Sequence, residues 1–96
     1  MPPVGHFAKR IAFNRLAARR LHGASLRRHR RAVVLGRMAL AAQGRGHHVR
    51  AARLMRRALF LKAAAVRARV RALRHFLRAV QLRRLQAHRL RAVRPK

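Results

Sequence analysis

Apolar residues recur along this chain with helical periodicity, and the clearest stretch lies between positions 59 and 80. There Leu59, Ala63, Val66, Val70, Leu73, Leu77 and Val80 alternate spacings of four and three, the pattern of a coiled-coil seam. Just before that seam on the helix wheel runs a column at sevens: Ala51, Ala58, Ala65, Ala72 and Ala79. Just after it sit Arg67, Arg71, Arg74 and Arg78, and Arg50, Arg53 and Arg57 fall near the same line. A strict seven-residue repeat drifts by about 20° per heptad on a straight helix, so aligned columns require a left-handed supercoil against a partner helix. The expectation is that the seam buries, the alanines permit close approach and the arginines are delivered to one side.

Punctuation divides the rest. Pro2, Pro3 and Gly5 open the chain, His22-Gly23 precedes Ser25, Gly44-Arg45-Gly46 forms a second break, and Pro95 closes it. Three helices follow, roughly 6–22, 25–43 and 47–93, with Gly23 as a left-handed C-terminal cap and Ser25 as the N-cap of the second. Gly36 marks a close helix crossing or a small kink. The third helix holds no Gly or Pro and would span about 70 Å. Strand-like alternation occurs only at Val66 to Arg71, inside the wider helical period.

The segments differ in how they distribute apolar side chains. In the first, Phe7, Ile11, Ala18 and Leu21 make one line, while Phe13 lies among Lys9, Leu16 and Arg20, so no single face emerges. The second begins LRRHRRA and continues AVVLGRMALAA, apolar nearly all round, which demands burial on all sides. In the third the seam fails at Arg84 and Arg91, leaving the last turns to solvent or a polyanion. The predicted class is all-α: two shorter helices followed by a long one, packed as a helical hairpin or coiled coil in a single domain spanning 1–96, assembled as a homo-oligomer.

Charge changes this picture. The chain carries 27 Lys plus Arg and no Asp or Glu, a formal net charge of +27 over 96 residues. Self-repulsion of that size opposes any compact state, so the isolated chain is expected to fold poorly at low salt. Yet 51% of residues are apolar, which is not a disordered composition. Neutralisation must come from outside, and an ordered chain of this charge is expected to be held by an anionic partner, by further copies of itself, or by both. The opening MPPVGHFAKR lacks the apolar stretch of a secretory signal, and no run approaches the ~18 apolar residues of a membrane span.

The inventory excludes most chemistry. There is no Asp, Glu, Cys, Thr, Tyr or Trp, so paired carboxylates, acid-containing triads, thiol nucleophiles and carboxylate or thiolate metal sites lack their parts. Ser25 is the one side-chain hydroxyl. The seven histidines, His6, His22, His29, His47, His48, His75 and His88, show no four-residue same-face pairing of a helical metal site. Gly44-Arg45-Gly46 is a turn and not a phosphate-cradling loop. No enzyme, no cofactor, no metal and no small-molecule substrate is expected.

What remains is an arginine surface, with 24 Arg to 3 Lys. Guanidinium groups bind phosphate bidentately and stay charged at any physiological pH. Duplex DNA carries one charge per ~1.7 Å, so 27 cations match on the order of 46 Å of duplex, a stoichiometric coat. The run Arg27, Arg28, His29, Arg30, Arg31 would sit at the positive end of the second helix's dipole, a conflict that a bound phosphate removes. The candidate contacts are Lys9, Arg10, Arg19, Arg20, Arg27, Arg28, Arg30 and Arg31, with Arg50, Arg53, Arg57, Arg67, Arg71, Arg74 and Arg78 from the long helix. Asn and Gln together number four, which disfavours base readout. Single-strand binding needs exposed aromatic platforms, and the four Phe are expected in packing.

With RRHRR, the Arg-flanked seam and the missing acids in view, the chain resembles the small basic all-helical nucleocapsid proteins of DNA viruses, especially those of archaeal hosts. That resemblance implies a virion protein that wraps double-stranded DNA by its phosphate backbone in a helical assembly, sometimes with the DNA in A form, built from copies of itself or with a paralogous coat subunit. A ribosomal or mitoribosomal protein threaded through folded RNA is the alternative, and a cationic membrane-surface helix is a third class. Excess apolar surface separates the first two, because a self-assembling coat needs much of it and an RNA-embedded subunit little.

Overall fold

Gly46 is the one residue with positive φ among those described, at 80°, and it reverses the chain. The His47 amide donates back to the Ala42 carbonyl at 2.9 Å and the Gly46 amide to Gln43 at 3.0 Å, the paired bonds of a Schellman cap. Only glycine takes this backbone conformation without cost. The predicted break at 44–46 is therefore real, and the His47 carbonyl, accepting from the Ala51 amide at 2.9 Å, starts the next helix.

The computed structural model describes residues 4–93, so Pro2, Pro3 and Pro95 lie outside the described residues. It is all-helical, with two helices packed against each other: α1 (Val4–Gly44) and α2 (His48–Val93). The expected long helix is present at 46 residues, but the two shorter helices are one helix of 41. No break occurs at His22 to Ser25. A glycine inside a helix costs about 1 kcal/mol relative to alanine, which burial of the flanking turns outweighs. Ser25 does not cap a helix; it lies buried within one and donates its hydroxyl to the Ala65 carbonyl of α2 at 2.9 Å. Nor is Gly36 a close crossing, since a Cβ there would meet nothing within 4 Å.

Contacts divide the chain into two units. One runs His22–Val70 and the other joins Met1–Leu21 to Arg71–Lys96. Within the first, Ser25, Ala32, Leu35, Ala39 and Ala42 of α1 are buried, as are Ala51, Ala58, Ala65 and Ala68 of α2. Within the second, Phe7, Ile11, Ala79 and Leu82 form a buried cluster, with Asn14 and Ala72 also buried. On α2 these positions, together with half-buried Leu54, Leu61 and His75, step by alternate threes and fours. That is a seam, and its repeating element is the alanine column.

The larger residues expected in the seam lie elsewhere. Leu59, Val66, Val70, Leu73 and Leu77 are 42–58% exposed, so the side-chain row predicted to bury does not face α1. Among the described residues nine of the thirteen buried apolar ones are alanine, and only Leu82 falls below 2% exposure. Small side chains let the helix backbones approach within reach of a serine hydroxyl, as the Ser25 bond records. The same smallness leaves little apolar area in the interior, at about 0.8 kcal/mol per buried methylene-sized group. Phenylalanine follows the same inversion: Phe7 is buried, but Phe13, Phe60 and Phe76 are 55–67% exposed, against the expectation that all four pack.

One polar layer interrupts the seam. Asn14 donates to the Arg10 carbonyl at 2.8 Å, which leaves its side-chain oxygen to accept from His75 Nδ1 at 2.9 Å. Phe13 stands edge-on to the same imidazole, with ring centres 6.3 Å apart. A hydrogen bond between fixed positions of two helices sets their register, because any slip leaves a buried polar group unmatched. His75→Leu should therefore lower stability by about 1–3 kcal/mol, and adding Asn14→Leu should recover part of the loss. Denaturant melts of both variants decide this, and equal losses in single and double variants would remove the register role.

Candidate nucleic-acid interface

Every cation proposed from the sequence to contact phosphate is exposed: Lys9, Arg10, Arg19, Arg20, Arg27, Arg28, Arg30 and Arg31 on α1, and Arg50, Arg53, Arg57, Arg67, Arg71, Arg74 and Arg78 on α2. The α2 set keeps its three-and-four spacing on an unbroken helix, so it forms a stripe beside the exposed apolar row. In the α1 set, the reasoning for Arg27 to Arg31 changes. They stand in mid-helix and not at a helix start, so no dipole conflict singles them out. Arg28 falls on the register of the buried seam yet stays exposed, its stem carrying the guanidinium outward.

The structure adds basic and imidazole groups to the candidates and sets some of the candidates beside them. In the unit His22–Val70, His22 and His29 of α1 and Lys62 and Arg69 of α2 line one groove of about 410 Å³, floored by buried Ser25 and Ala65. In the other unit, Arg15 and Arg19 of α1 face Arg83 and Gln86 of α2 across a groove of about 440 Å³ over Ile11. Near the turn, Arg45, His47 and Arg50 border a third of about 300 Å³. The first two grooves set basic or imidazole groups of one helix beside those of the other, and the chain has no carboxylate side chain to place between them. A phosphate seated there would be held from both helices at once. The usable signal was the seven-residue spacing of His22 to His29 and of Lys62 to Arg69, which places each pair on one helix face.

Other chemistries find no support in the geometry. Among the described residues no group of three potential metal ligands comes together. None of their helices is long and apolar enough to cross a membrane. Arg89 stacks over the Phe7 ring at 5.2 Å, a packing use of arginine at the edge of the Phe7 cluster. Phe60 and Phe76, though exposed, stand about 24 Å apart along α2 and so do not offer successive bases a continuous platform. Comparison with protein-family models, curated proteins and solved structures finds no match.

Proposed function

We infer that this chain is a non-enzymatic structural nucleoprotein that coats double-stranded DNA through its phosphate backbone, without sequence preference, as a nucleocapsid-type protein of a virion. The observation that carries the reading is the division of the helix surfaces. Alanines occupy the inside, while arginine rows and large apolar residues share the outside. Arginine rows along helices suit a regular array of phosphates, and +27 per chain suits stoichiometric coverage. Among the described residues eighteen large apolar side chains are exposed. A coat made of contacting subunits uses such surface, whereas a protein threaded through ribosomal RNA has little need of it.

Electron microscopy of the purified chain mixed with linear double-stranded DNA at moderate salt, beside the same chain with structured RNA, tests this. Filaments of constant diameter on DNA are expected. Ordered complexes on RNA alone, or irregular aggregates on both, would replace the coat with the ribosomal reading.

A further inference from the structure

The exposed apolar row of α2 and the cations beside it form one device. We propose that this row is the contact face for a second copy of the chain, and that the two copies close on it only when a phosphate polyanion lies along its borders. This rests on the nucleic-acid reading above and adds what the polyanion does to assembly.

The row has the spacing of a second coiled-coil seam. Leu59, Ala63, Val66, Val70, Leu73, Leu77 and Val80 step by fours and threes. At heptad spacing their two columns lie about 100° and 150° round α2 from its alanine column, and of the seven only Val80 is half-buried. One helix thus carries two seams: a thin one used within the chain and a bulky one left in solvent, with Leu59, Val66, Leu73 and Leu77 each more than half exposed. Area argues for the same conclusion, since closing this row on its like takes Leu59, Val66, Val70, Leu73 and Leu77, each 42–58% exposed, out of water.

The occupant is a second copy because the face is self-complementary in shape, a regular row of aliphatic side chains that another such row can interdigitate. The borders decide when. Positions flanking a coiled-coil seam meet the partner's flanking positions. Here one flank carries Lys62 and Arg69, the other Arg67 and Arg74, all exposed. Parallel or antiparallel, two copies set cation against cation, and no carboxylate side chain exists to relieve it. Phosphates bridging the borders convert that repulsion into attraction, so the polyanion becomes part of the interface.

The experiment uses the full chain and a DNA duplex about one helical turn long, too short to line up subunits merely by length. Sedimentation velocity should find single chains in chloride or sulfate and paired chains on the duplex. The double variant Val70→Gln, Leu77→Gln should bind duplex but halve the chain count per complex, with unchanged helical circular dichroism, since both residues are exposed and Gln is a good helix former. The chain has no cysteine, so Val70→Cys reports the contact directly: duplex-dependent disulfide linkage is expected. Pairing of equal strength in sulfate without duplex overturns the polyanion requirement. Wild-type chains that bind duplex yet stay single, or a glutamine variant that pairs like wild type, overturn the face. Failure to bind duplex at all overturns the coat reading and this inference together.

Discussion

Duplex binding will weaken on every sequence alike, and its salt dependence will flatten, when Arg27→Ala, Arg28→Ala, Arg30→Ala and Arg31→Ala are combined. Each phosphate contact contributes about 0.9 to the slope of log affinity against log salt, so the loss reaches about 3.6 if all four contact the backbone. The substitution leaves the helix intact, because alanine is the best helix former and all four positions are exposed within α1. It should also relieve self-repulsion, so that the variant folds at lower salt than the wild type. The matching set on α2, Arg67→Ala, Arg71→Ala, Arg74→Ala and Arg78→Ala, gives the comparison. The set with the larger slope change marks the helix that tracks the duplex. Affinity measured across a salt series settles both, and an unchanged slope in the α1 variant would take those four residues out of the interface.

The second large effect inverts the usual rule for apolar substitutions. Ala65→Leu should collapse the packing of the helix pair, whereas Leu59→Ala should leave the isolated chain's stability within about 0.5 kcal/mol of wild type. Ala65 is 4% exposed, and its carbonyl lies 2.9 Å from the Ser25 hydroxyl, so a larger side chain there must push against α1 or turn into the groove beside it. Overpacking of this kind costs about 1–3 kcal/mol, a large share of the stability of a small domain whose interior is mostly alanine. Leu59, at 58% exposure, has little contact to lose. Thermal melts in sulfate, where charge repulsion is screened, measure both. An Ala65→Leu chain melting with the wild type would mean that the alanine column is not the contact face.

Several features were legible in the residues and others were not, for reasons tied to particular positions. The turn at Gly44-Arg45-Gly46 was readable because two glycines bracket it and one must take positive φ. The supposed break at Gly23-Ala24-Ser25 carried similar local signals, yet the helix runs through it. Ser25 stands in register with Ala18 and Ala32 at sevens, and a distant carbonyl on α2 satisfies its hydroxyl. Local propensity was outweighed by a contact forty positions away. Asn14 and His75 escaped notice for a related reason: alone each looks like a surface polar residue, and only their meeting makes a buried layer.

The candidate interface divides in the same way. Arginine rows on α2 follow from spacing on a helix, so their alignment was visible in advance. The grooves that add His22, His29, Lys62 and Arg69, or that set Arg15 and Arg83 beside Arg19, exist only where two helices lie side by side. No single helix wheel displays them.

By itself the sequence determined the helical class, the reversal at Gly46, the long second helix and an outward charge that the chain cannot balance. These depend on composition, periodicity and local backbone preference, which each segment carries alone. Tertiary structure decided which of two heptad rows on α2 turns inward. Periodicity marks both rows equally, but close approach of two helix backbones favours the alanine row, and that choice leaves the bulky row outside, where an assembly contact can use it.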